Sequence, residues 1–99
     1  DNNLRLDYAK DLVARALELE PQNAAFLDSY GWVLYRLGQF DEALKYLLQA
    51  ASIQSDPTVF EHVGDTYMSL KETAQAKDWW RKALKLQPDN KALKEKLKD

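Results

Sequence analysis

Cysteine is absent from the 99 residues, which excludes disulfides, a thiol nucleophile and any cysteine-based zinc site. Histidine occurs once, at His62, so no second imidazole is available to share a metal. Glycine and proline number only three each, and no apolar run approaches the roughly 18 residues a membrane span needs. Neither sign of charge prevails: 14 Lys and Arg face 16 Asp and Glu, a net charge of −2 that argues against a general nucleic-acid binder. The length fits one domain, or a piece of a larger one, and excludes a two-domain enzyme. Asp1 rather than Met stands first, and no signal-peptide pattern follows it, so the chain reads as a cut or processed segment.

Apolar residues recur at three- and four-residue spacings, with no alternation, and this predicts an all-α chain. Between Pro21 and Gly38, one helical stripe carries Leu27, Tyr30, Gly31 and Leu34, while Ser29, Trp32 and Arg36 fall opposite. Gly38 is expected to end that helix in a left-handed cap. Asp41 is expected to cap a second helix with the inward stripe Ala43, Leu44, Leu47, Ala50 and Ala51. Asp56 before Pro57 marks the next start, since Asp can cap the amides and Pro is tolerated at the first helical position. A second hairpin runs to about Leu86. Pro88, Asp89 and Asn90 then punctuate the chain before a short helix in which Leu93 and Leu97 are apolar and Lys91, Lys94, Lys96 and Lys98 are not.

The chain also repeats itself. Ala16-Leu17-Glu18-Leu19-Glu20-Pro21-Gln22-Asn23 aligns with Ala83-Leu84-Lys85-Leu86-Gln87-Pro88-Asp89-Asn90, sharing Ala-Leu-x-Leu-x-Pro-x-Asn. Ala9 precedes Ala43 by 34 residues, and the steps from Ala43 to Ala76 and from Gly31 to Gly64 are 33. A period near 34 implies stacked helical hairpins.

On these residues the chain resembles the tetratricopeptide repeat family, whose pattern is W-x2-L-G-x2-Y followed by A-x3-F, A and P. Leu27, Tyr30, Gly31 and Leu34, then Ala43, Leu47 and Ala50, stand at those places in one full repeat. Phe60, Val63, Gly64, Tyr67, Ala76, Trp80, Ala83 and Pro88 match in the next. Ala9, Val13, Ala16 and Pro21 match only the second half of a repeat. The resemblance therefore implies a right-handed superhelical stack of antiparallel hairpins: a half repeat over about 4–23, repeats at 24–56 and 57–90, and a capping helix at 91–99. The half repeat lacks its usual partner helix, so Leu4, Leu6, Leu12 and Leu19 are expected to form an uncovered stripe offering a surface for self-association. Ser55 replaces the family's Pro, the first full repeat is one residue short, and Lys71 and Thr73 replace the turn's Gly and aromatic. A looser turn is expected at Lys71, since a non-glycine left-handed cap costs on the order of 1 kcal/mol. The run from Tyr30 to Gly38 is similar to that in bacterial members of the family, often exported or membrane-anchored.

Catalytic constellations are hard to assemble. Ser29, His62 and Asp65 can be written as a triad, but Ser29 and His62 occupy equivalent places in successive repeats. Neighbouring helices pack about 8–10 Å apart, while a nucleophile and its base need contact near 3 Å. His62 reads instead as a groove residue, and neither a catalytic residue, a metal nor a cofactor is assigned. Trp79-Trp80 beside Arg81 and Lys82 superficially suggests nucleic-acid stacking. Adjacent helical residues share no face, however, so Trp80 is expected in the core and Trp79 as a half-exposed wedge.

Charge is uneven, with eight basic and four acidic residues from Lys77 to Asp99 and six basic and twelve acidic before them. The lysines of the last helix read as a solvated face, the alternative being contact with an acidic partner or a membrane surface. In the resembling family, the first helix of each hairpin lines a concave surface that receives peptides or partner helices. Here this implies a ligand groove formed by Asp28, Ser29, Trp32, Tyr35 and Arg36 in one repeat and Glu61, His62, Asp65, Met68 and Ser69 in the next. Trp, Tyr and Met beside charges are common hot-spot chemistry. Members that clamp a terminal carboxylate use Lys, Arg and Asn, whereas Asp28, Glu61 and Asp65 here outnumber Arg36. That balance argues against chaperone-tail binding and for a protein or peptide partner with an apolar anchor and basic flanks. The chain is thus expected to be a non-catalytic interaction scaffold; the alternative is a spacer or capping segment supporting a longer array or its oligomerisation.

Overall fold

A computed structural model describes residues 2–98, with side chains from Leu4 onward; Asp1, and Asp99 at the end of the expected capping helix, lie outside the described residues. Six helices follow in order: α1 (Asn2–Leu19), α2 (Ala24–Arg36), α3 (Phe40–Ile53), α4 (Pro57–Ser69), α5 (Thr73–Leu86) and α6 (Lys91–Lys96). They fall into two compact units, Asp1–Gln54 and Ser55–Asp99. The all-helical expectation is met, and none of these helices is long and apolar enough to cross a membrane.

In the first unit α2 packs along α3, and α1 packs against α2. The interior is built from Leu27 and Leu34 of α2 and Ala43, Leu47 and Ala50 of α3. Burying a leucine completely, as at Leu34 and Leu47, stabilises the hairpin by about 2 kcal/mol. Gly31 permits this packing, because a Cβ there would lie 2.6 Å from Leu47 Cγ. Leu44 and Ala51 sit at the margin of the stripe, half-buried. Tyr30 meets Tyr46 edge to face at 4.7 Å. Burial, reinforced by nearby Tyr46, Glu42 and Asp11, raises the Tyr30 hydroxyl above its ordinary pKa.

The second unit repeats the plan, with Val59, Val63 and Gly64 of α4 against Ala76, Trp80 and Ala83 of α5. α6 closes its end by burying Leu93 in the cluster of Ala76, Trp80 and Ala83. Thr66 is buried, and its hydroxyl donates to the His62 carbonyl at 2.8 Å, a bond that lets a hydroxyl sit inside a helical core.

The turns recur with the same bonds. After α2, Gly38 adopts φ +80, its N–H donates to the Tyr35 carbonyl, and the Gln39 N–H reaches back to the Leu34 carbonyl. After α4, Lys71 adopts φ 65 with the equivalent bonds to the Met68 and Tyr67 carbonyls. The latter closure keeps the full left-handed geometry without glycine. Helix starts are capped by Asn23, Asp56 and Asn90, whose side chains accept from Phe26, Thr58 and Leu93 amides at 3.0, 2.7 and 3.0 Å. Asp41 does not serve as a cap. The turn closes at Gln39, α3 begins at Phe40, and Asp41 lies in the first turn, where its charge still favours the helix dipole.

Candidate functional site

The side of α2 turned from α3 carries the first set of expected groove residues. Asp28, Trp32 and Arg36 follow at intervals of four, with Ser29 and Tyr35 beside them. Ser29 and Arg36 are exposed, whereas Asp28, Trp32 and Tyr35 are half-buried. The Trp32 and Tyr35 rings stack with centroids 4.4 Å apart and planes 6° from parallel. Tyr35 also meets Phe40, at the start of α3, edge to face at 5.3 Å. The three rings make a row across the turn, bracing the platform against a second helix. Phe40 went unnoticed in the sequence; aromatics flanking a helix-ending glycine were its only signal.

On α4, Glu61, His62, Asp65, Met68 and Ser69 are all half-buried. The two carboxylates converge on a lysine of their own chain. Lys96 Nζ donates to Glu61 Oε2 at 2.6 Å and to Asp65 Oδ1 at 2.8 Å. Asp65 Oδ1 also accepts the Trp80 indole N–H at 3.1 Å, and the Lys96 ammonium lies 5.6 Å from the Trp80 ring centroid. Burial works against the charged ammonium, but the hydrogen bonds it donates to Asp65 and Glu61 outweigh that effect and raise the Lys96 pKa above lysine's ordinary 10.5.

The solvated lysine face expected on the last helix is therefore corrected at Lys96, while Lys91, Lys94 and Lys98 are exposed. Met68 also departs from a purely ligand-facing place, because it packs against the cluster around Trp80 and Leu93. Trp80 is 4% exposed and Trp79 half-buried, with Trp79 meeting Phe60 at 5.5 Å.

The open stripe of α1 is Leu4, Tyr8, Leu12 and Leu19, exposed by 69, 68, 48 and 85%. Leu6 does not belong to it, because two residues past Leu4 is 200° around a helix, and its side chain is half-buried.

The chain is similar to several known proteins. The chain is 38% identical over 65 residues to a TPR repeat-containing protein of Pseudomonas aeruginosa, matching 66% of this chain and 11% of that protein. It is 36% identical over 75 residues to the type IV pilus assembly protein PilF of the same organism, covering 73% of this chain and 30% of PilF. The chain thus spans under a third of the length of either relative. The structure of the first TPR of Spaghetti (RPAP3), bound to the HSP90 peptide SRMEEVD, superposes with a TM-score of 0.90 at 21% identity, over 94% of this chain and 75% of that one. The tetratricopeptide repeat model matches residues 5–97. With hairpins of matching period, glycines where two helices touch and this match over nearly its whole length, the chain belongs to the tetratricopeptide repeat family.

Proposed function

We propose that the protein is a non-catalytic interaction scaffold whose α2 face holds a peptide or helix of a partner protein. The stacked pair Trp32–Tyr35 carries the reading. Two parallel rings, half-exposed and braced by Phe40, offer a rigid apolar anchor site at little entropic cost. Asp28 and Arg36 lie one turn to either side of Trp32, and Asp28 favours a basic residue beside the ligand's anchor. Membership of an interaction-repeat family supports the class of function. The peptide in the Spaghetti complex is acidic, and at 21% identity that likeness speaks for the fold alone. In the second unit, Glu61, His62, Asp65, Met68 and Ser69 are proposed as contacts on α4 in their own right, and Lys96 already neutralises much of the acidic charge there.

Peptide display on the wild-type chain, counter-selected against Trp32→Ala, tests this. Enriched peptides with an apolar anchor and basic flanks that lose binding in the variant support the reading; a selection yielding no Trp32-dependent peptide sinks it. The Lys96 clasp favours one other reading, a capping or spacer segment, since a chain that satisfies its own α4 carboxylates has less need of a ligand there. Under that reading Trp32→Ala leaves assembly of a longer array intact.

A further inference from the structure

The two helices of the second hairpin differ in sign. α4 carries Glu61 and Asp65 with no Lys or Arg, whereas α5 carries Lys77, Arg81, Lys82 and Lys85 against Asp78 alone. On the side of α5 away from Ala76, Trp80 and Ala83 lies a shallow cavity of about 770 Å³. Trp79, Leu84 and Pro88 supply its apolar surface, and Arg81, Lys82 and Lys85 its cations. Its volume falls within the roughly 300–1,000 Å³ of clefts that accept ligands.

We propose that this face of α5 is a docking surface, separate from the α2 platform, for an acidic partner segment with an apolar anchor. Lys82 Nζ stands 4.0 Å from the Trp79 ring centroid, so an exposed cation sits directly beside apolar surface. A carboxylate arriving there meets an ammonium already in place, while a neighbouring apolar side chain enters over Trp79 and the lysine stems. Arg81 is paired with Asp78 at 3.0 Å, but both side chains are more than 60% exposed, a weak pair that a partner's carboxylate can replace. Leu86, half-exposed on the same helix, adds apolar surface.

The chemistry favours a protein segment over a nucleic acid. Trp79 is the one aromatic ring in the cavity lining and is held edge to face by Phe60, so successive bases find no row of rings to stack on, whereas a single apolar anchor beside a carboxylate fits.

Peptide display on the whole chain tests the proposal, with Lys82→Glu/Lys85→Glu as the counter-selected variant and circular dichroism to verify that this exposed double change leaves the fold intact. The expected outcome is a set of acidic peptides with an aromatic or aliphatic anchor. They should bind the double variant at least about tenfold more weakly and bind Trp32→Ala as they bind wild type, so that failure here and failure of the α2 reading are told apart. The proposal is overturned if no acidic set is enriched, if enriched peptides keep their affinity for the double variant, or if a fluorescein-labelled oligothymidylate competes them off, which would reassign the face to nucleic acid.

Discussion

Trp80 lies so close to Gly64 that a methyl group at position 64 would stand 2.4 Å from the ring's Cδ1 and Nε1. The ring cannot easily retreat, because its N–H is bonded to Asp65 and its body is buried against Ala76 and Ala83. Gly64→Ala should therefore destabilise the protein by about 1–2 kcal/mol even after alanine's better helix propensity is counted. At Gly31 the obstacle is Leu47, whose Cγ would lie 2.6 Å from the added methyl, a less severe overlap than at Gly64, and Gly31→Ala should cost less. Urea unfolding of the two variants gives the order; a larger loss at Gly31 would contradict the argument.

Lys96→Met should loosen α6. Removing the ammonium leaves Glu61 and Asp65 facing each other with 25% and 18% of their side chains exposed, and the loss at neutral pH should be about 1 kcal/mol after allowing for solvent. Because the folded state raises the Lys96 pKa, its contribution is complete below 10.5 and disappears as pH climbs through the higher folded value. Wild type and variant should thus converge in strong alkali. Urea unfolding followed by circular dichroism, at neutral pH and in strong alkali, measures this; a difference that persists in alkali would count against the clasp.

Lys71→Gly should stabilise the protein by about 0.5 kcal/mol. Relief of the side chain held at φ 65 slightly exceeds the entropy that glycine adds to the unfolded chain. Thermal melting that shows no gain would mean that Lys71 makes a compensating contact.

The α1 stripe should make the isolated chain associate at high concentration. Tyr8→Glu/Leu12→Glu places charges on two exposed positions and should yield a monomer of unchanged helicity. Sedimentation equilibrium across a concentration series checks this, and an undiminished mass in the double variant would exclude the stripe as the contact.

The hairpins were legible because helix periodicity and residue size speak locally. Ala43, Leu47 and Ala50 fall on one stripe, and Gly31 and Gly64 recur where two helices must touch. Lys96 was not legible, since its partners lie 35 and 31 residues earlier and nothing around it distinguishes it from the exposed Lys94 and Lys98. Met68 shares a stripe with Glu61 and Asp65 and was grouped with them, but its long flexible side chain reaches the cluster that α5 and α6 bring to the end of α4. At α1, four leucines suggested the stripe and hid the one residue of the wrong phase, Leu6. The α2 residues were easier, because intervals of four align Asp28, Trp32 and Arg36 within one helix; the bracing by Phe40 depends on how the turn folds back.

Leu19, Ile53 and Leu86 end α1, α3 and α5 at matching places in the repeat, and they are exposed by 85, 43 and 50%. Each copy of the unit thus brings an aliphatic side chain that its own hairpin does not hide. An array that lengthens by gene duplication gains such side chains in proportion to its length. The three copies here all keep an aliphatic residue at this position, so the exposed apolar area of such an array grows with its length.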